Sequence, residues 1–267
     1  MKKTTRATVA DLLAEKGKRQ LVQIFCATPD EAAAAHAAGI DIIGTEEQFV
    51  TPAFREAAGS AFITAGLIYG AHVNADEYIR AGFKAMNAGA DAVYSASSVE
   101  IIARMYAEGL PVVGHVGLIP SRRTWTGGFK AVGKTAETAL RVYEATKRLE
   151  AAGAIAVEME VVPDRVAAEI SKRTTMLVIS MGGGPGCDGQ YLFSEDILGA
   201  NEGHYPRHCK RYRDFAAEHR RLQAERTAAF TEFRRDVETG VYPAPEHMVR
   251  IEDADFDAFL SDLPRPG

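Results

Sequence analysis

"AAGAIAVEMEVVP" (residues 151–163) holds a helix end, a glycine and an apolar run interrupted by two acids. Alternate residues of a strand share a face. Val157, Met159 and Val161 therefore point one way, and Glu158 and Glu160 point the other. The join of helix end, glycine and strand recurs at "AAGI" (37–40) and "NAGADAV" (87–93). Apolar runs lie at 21–27, 41–45, 61–69, 91–96, 111–117, 154–161 and 175–184, with a weaker eighth, "DILGAN", at 196–201. Helical patterns fill the gaps, and several end in Gly. Strict strand–helix alternation implies a parallel sheet. Eight such units in about 200 residues favour a (β/α)8 barrel over an open doubly wound sheet. No GxGxxG fingerprint follows the first run, which disfavours a dinucleotide-binding fold.

A barrel gives the two acids a place. The outer face of each strand packs on helices and must be apolar, whereas the inner face near the C-terminal mouth can be polar. Glu160 is then expected at the mouth and Glu158 one layer deeper, with Cα atoms roughly 6.5 Å apart. Two nearby half-buried acids raise each other's pKa unless a cation or donors intervene. A structural pair satisfied by Arg, Lys or backbone N–H groups is the alternative. Other strand ends add Thr45, Glu46 and Glu47, then Gly66, Tyr94 and His115, and the glycines 182–184. His115 sits between glycines in "GHVG", which leaves the backbone open to a ligand.

The bulk numbers narrow the function classes. The chain has 267 residues, 46% hydrophobic and 25% charged, which suits an ample core. We expect one barrel domain over 1–267 with a helical C-terminal extension from about 205. The net charge of −5 comes without a basic block in the first two thirds, which argues against nucleic acid. Cys26, Cys187 and Cys209 are odd in number and far apart, so a disulfide framework is not expected. No apolar run suits a signal peptide or a membrane span, so a cytoplasmic protein without a membrane partner is expected. Residues 208–239 are charged and helical, and read as a solvated or subunit-contacting helix. The acidic end, 252–267, is expected to be partly disordered or packed on a neighbour. The loop "PSRRTWTGGFKAVGKT" (120–135) suits a mobile lid, with Arg122, Arg123 and Lys130 facing an anion or solvent.

Four motifs together carry a resemblance: "GHVGL" (114–118), E-x-V-P (160–163), G-x-G-x-x-C-D-G-Q (182–190) and G-V-Y-P-x-x-E-H (240–247). The chain resembles the ketopantoate hydroxymethyltransferases, also called 3-methyl-2-oxobutanoate hydroxymethyltransferases, over roughly residues 5–248. The resemblance implies a (β/α)8 TIM barrel of the phosphoenolpyruvate/pyruvate type that forms a homo-oligomer. It implies Mg²⁺ chelating a small 2-oxo acid, a glutamate base removing the C3 proton, and methylenetetrahydrofolate as the one-carbon donor. Glu160 matches the base, and His115 matches a residue that binds the oxo acid. Thr45, Glu46, Gly66, Tyr94, Gly182 and Gly183 are then candidate substrate-binding positions.

The departures are as specific as the likeness. Thr45 stands for a metal-binding aspartate and Glu46 for the serine after it. Gly66 replaces the third-strand aspartate, and Tyr94 and Ala96 replace a Lys-x-Glu pair. Glu158 stands where the family has an apolar residue. A relocated metal held by Glu46, Glu158 and Glu160 is one expectation, since hard oxygen ligands suit Mg²⁺. A metal-independent site using Tyr94, His115 and glycine-loop N–H groups to meet an enolate is the other, and the one favoured. Hydroxymethyl transfer or aldol chemistry on a 2-oxo acid leads the functional readings. A C–C lyase or hydrolase on another oxo compound, and an inactive homologue serving as a binding subunit, are the alternatives.

Overall fold

The computed structural model describes residues 5–264, and the ends of the expected 1–267 span lie outside it. The chain divides into two compact units, Met1–Arg213 and Asp214–Gly267. The first unit carries eight strands: β1 Leu21–Phe25, β2 Ile42–Glu46, β3 Phe62–Gly66, β4 Ala92–Tyr94, β5 Val112–Gly117, β6 Ala156–Glu160, β7 Leu177–Met181 and β8 Gly189–Phe193. All neighbours pair in parallel and β8 closes on β1, giving a closed barrel in sequence order.

Helices follow the strands: α1 Val9–Leu13 before β1, then α2 Pro29–Ala38, α3 Pro52–Ala57, α4 Ala75–Ala88, α5 Val99–Ala107, α6 Arg123–Thr126, α7 Ala136–Ala151, α8 Asp164–Ser171 and α9 Ser194–Leu198. Local sequence sets their ends. Thr28 caps α2 through a reciprocal bond with Glu31, and Gly39 ends it in the left-handed region. Asn74 and Gly89 do the same work for α4.

The eighth strand departs from the sequence expectation. It is "GQYLF", and the "DILGAN" stretch instead begins inside α9. Strict alternation also fails once, because no helix joins β7 to β8. Residues 182–188 cross over as a loop, with Gly182 and Gly184 at positive φ. The register pairs Val22 with Gln190, and Val22 on the outer wall is 44% exposed.

Two apolar clusters follow the strand period. Ile43, Ile63, Val93, Val157, Met159 and Val178 pack outward with Phe54, Tyr78, Ile102 and Leu149 of the helices. Leu21, Ile42, Phe62, Val113, Ala156 and Leu177 fill the bottom of the barrel, with Leu12 of α1 beneath them. Each large side chain so buried contributes about 1.5–3 kcal/mol. The next inward layer is polar: Gln23, Thr64, His115 and Glu158 are buried there among Tyr94 and Tyr191.

The second unit contains α10 Phe215–Glu238 and α11 Asp253–Asp262. Phe230, Phe233 and Val237 recur along α10 at helical spacing and are exposed, as are Phe256, Phe259 and Leu260 of α11. Among the described residues, no helix is long and apolar enough to cross a membrane.

Candidate active site

A cavity of about 330 Å³ opens at the C-terminal ends of the strands. Both acids of β6 face it, as strand parity requires. Thr45, Glu46, Gly66, Tyr94 and His115 line it as well. Glu47 does not. It ties down the loop after β3, accepting from Ile68 N at 3.2 Å and meeting His72 Nε2 at 2.8 Å. Gly182 and Gly183 are likewise not among the lining residues. A side chain at 182 would meet His208, and one at 183 would meet Ala167 and Ser180 Oγ, so these glycines shape the turn after β7.

His115 is fixed at both nitrogens. Nε2 lies 2.8 Å from the Leu118 carbonyl, which can only accept, so Nε2 carries the proton. Nδ1 lies 2.8 Å from the Tyr94 hydroxyl. Glu158 Oε2 lies 3.7 Å from Nδ1 and Glu160 Oε2 lies 3.4 Å from Nε2. The register makes this arrangement inevitable: His115 pairs with Glu158, and Gly117 with Glu160. Gly117 must be glycine. It sits at φ +89°, and a Cβ there would lie 2.2 Å from the Glu160 carbonyl.

Burial sets the electrostatics. It pushes the Glu158 carboxyl up to about 7, against the lowering influence of His115 and the Gln23 amide. Gln23 donates to Glu158 Oε1 at 3.3 Å. Burial also raises the Tyr94 phenol well above its ordinary range, and the charges of Glu158 and Glu160 add to this. Thr45 Oγ1 is the buried side-chain oxygen without a hydrogen-bond partner among the described residues. Thr45 shares a strand face with Ile43 of the outer cluster, and leaving its closed-off hydroxyl unpaired costs about 1–3 kcal/mol. Strain is stored beside Glu160. Val161 has φ +50°, a region that β-branched residues avoid at a cost of about 1–3 kcal/mol.

Sequence reasoning missed Tyr191, which lines the cavity, and Gln23, which holds Glu158. Tyr191 is buried, and its ring stacks on Phe193 at 5.4 Å. A Cβ at Gly44 would lie 2.8 Å from Tyr191 Oη, so glycine at 44 makes room for the ring. Gln23 was legible as a polar residue at inward parity in "LVQIF"; Tyr191 was hidden in a run not read as a strand.

The three carboxylates do not form the expected metal centre. Among the described residues, no three His, Cys, Asp or Glu side chains group so as to hold an ion. Each acid already has a protein neighbour: Gln48 for Glu46 at 2.7 Å, Gln23 for Glu158, and His115 for Glu160. Mg²⁺ demands a near-octahedral oxygen shell, and a neutral hydroxyl at 45 and no side chain at 66 do not fit it.

Comparisons with known proteins place the chain. The sequence model of ketopantoate hydroxymethyltransferase matches residues 33–245. The 3-methyl-2-oxobutanoate hydroxymethyltransferase of Nitratidesulfovibrio vulgaris strain DP4 is 39% identical over 159 residues, covering 60% of this chain and 50% of the relative. This chain thus spans half the length of that relative in the match, and 62% of the enzyme of the same name from Pyrobaculum islandicum, at 38% identity. The corresponding enzyme of Pyrococcus abyssi is 31% identical over 92% of this chain and 93% of its own. Among solved structures, 2,3-dimethylmalate lyase, a member of the PEP mutase/isocitrate lyase superfamily, shares the barrel with a TM-score of 0.51 at 14% identity, covering 96% of this chain and all of that one. The chain belongs to the ketopantoate hydroxymethyltransferase family.

Proposed function

We propose that the chain is an enzyme that removes a proton next to a carbonyl and makes or breaks a C–C bond there. The substrate is a 2-oxo acid or a close derivative. Hydroxymethyl transfer, the activity in the relatives' names, is the leading reaction. The observation that carries the reading is Glu160 at the cavity mouth, held beside His115 Nε2 at 3.4 Å and followed by the strained Val161.

Glu160 takes the C3 proton, and the electron pair moves into an enolate. The C2 oxygen then needs a donor. Tyr94 supplies it by turning its hydroxyl from His115 Nδ1 to the oxyanion. Glu158, neutral below about pH 7, stands 3.7 Å from the vacated nitrogen. The enolate carbon attacks an electrophilic one-carbon unit, or the reverse sequence cleaves a C–C bond. Methylenetetrahydrofolate is the donor implied by the family. Trp125 and Phe129, both exposed on the loop after β5, offer ring surface for such a cofactor. No step here is routed through a metal ion, in keeping with the donor set.

The test is C3 proton exchange of 3-methyl-2-oxobutanoate and of its carboxamide in D₂O, followed by NMR. Glu160→Gln is expected to slow exchange about 10²–10⁴-fold while leaving the fold intact. Unchanged exchange in that variant would remove Glu160 from the mechanism.

A further inference from the structure

Charge is sorted around the mouth of the cavity. Glu158 and Glu160 stand on the β6 side. The cation at the rim is Arg122, on the loop after β5. Its guanidinium donates to the Ala96 carbonyl and lies 5.7 Å over the Tyr69 ring, and both Ala96 and Tyr69 line the cavity. Arg122 is half-buried, and among the described residues no carboxylate forms an ion pair with it. The Ala96 carbonyl occupies Nη2, and the rest of the planar donor fork has no hydrogen-bonded protein partner among those residues. Its charge also reaches Tyr94. Burial and the two acids of β6 push that phenol up, and Arg122 pulls against them, so the guanidinium stands within electrostatic reach of the hydroxyl.

These positions orient a 2-oxo acid. β4, β5 and β6 follow one another around the barrel. Tyr94 ends β4 and serves the C2 oxygen, and Glu160 ends β6 and serves C3. The carboxylate is bonded to C2 on the side away from C3. It therefore falls toward Ala96 and Arg122, and away from the acids that would repel it. A guanidinium can grip a carboxylate with two parallel N–H donors, and the Tyr69 ring backs its plane. We propose that Arg122 holds the C1 carboxylate of the substrate and so determines which end of the molecule meets Glu160. This rests on the reading that a 2-oxo acid is enolised here, and adds the residue that recognises its charged end.

The test is calorimetric titration of the intact protein with 3-methyl-2-oxobutanoate, in EDTA and again in MgCl₂. In each buffer where the wild type binds, Arg122→Gln is expected to weaken binding at least about tenfold. Arg122→Lys keeps the charge without the fork and is expected to lose less. Arg141→Gln removes the same charge from an exposed side chain already paired with Glu137, and is expected to leave affinity unchanged. Wild-type affinity in Arg122→Gln overturns the proposal, as does an equal loss in Arg141→Gln. Failure of the wild type to bind at millimolar concentration in both buffers overturns it too. Proton exchange judges the base separately. Unchanged exchange in Glu160→Gln with weakened binding in Arg122→Gln sinks the base and leaves the carboxylate contact standing. Slowed exchange in Glu160→Gln with wild-type affinity in Arg122→Gln does the reverse.

Discussion

Replacing Glu158 by glutamine should stabilise the protein above about pH 8 and leave it little changed near pH 4. Burial raises this carboxyl from its ordinary 4.5 to about 7. Below 4.5 it is protonated whether the chain is folded or unfolded, and stability is at its full value. Between 4.5 and about 7 the folded protein keeps a proton that the unfolded chain has released, so stability falls as pH rises. At about 1.4 kcal/mol per pH unit, the wild type loses about 3 kcal/mol across that window. Glutamine keeps the carbonyl oxygen that Gln23 Nε2 reaches and has nothing to ionise. Urea unfolding in EDTA, at about pH 4.5 and about pH 8.5, measures the difference. The variant's advantage should grow by about 3 kcal/mol between the two. An equal difference at both pH values, or a wild type that gains stability with rising pH relative to the variant, would refute the argument that burial dominates this group.

Two further outcomes follow from the fold. Gly44→Ala places a Cβ 2.8 Å from Tyr191 Oη, where the buried ring has no room to swing. It should cost about 1–3 kcal/mol in urea unfolding, and Tyr191→Phe in the same chain should recover most of it; an additive pair would show that the two do not touch. We propose that the exposed Phe256 and Leu260 of α11 bury against a second copy of the chain. Phe256→Asp with Leu260→Asp should then lower the mass seen by light scattering, and a wild type that is already monomeric would dismiss the homo-oligomer.

Strand parity made most of the barrel legible. The alternation around Glu158 and Glu160 put both acids inside, and the cavity lining agrees. What escaped did so for physical reasons. The β7–β8 connection has no helix to announce it, so "GQYLF" lacked the flanking pattern that marked the other strands. The glycines at 182 and 183 were expected to meet a ligand through the N–H groups of their loop. Here the approach is by His208 and Ala167 of the protein itself. The Tyr94–His115 bond links two strands adjacent in the barrel and 21 residues apart in sequence, and no local pattern reports such a pair.

The space at Gly66 has a consequence for what the site tolerates. A Cβ there would meet the Thr45 carbonyl at 3.4 Å and Tyr94 Cδ1 at 3.6 Å, both ordinary contacts. Glycine at 66 is thus not enforced by packing, unlike glycine at 44. A first side-chain carbon can therefore be added at 66 without repacking its neighbours, so this rim of the cavity is open to change where position 44 is not.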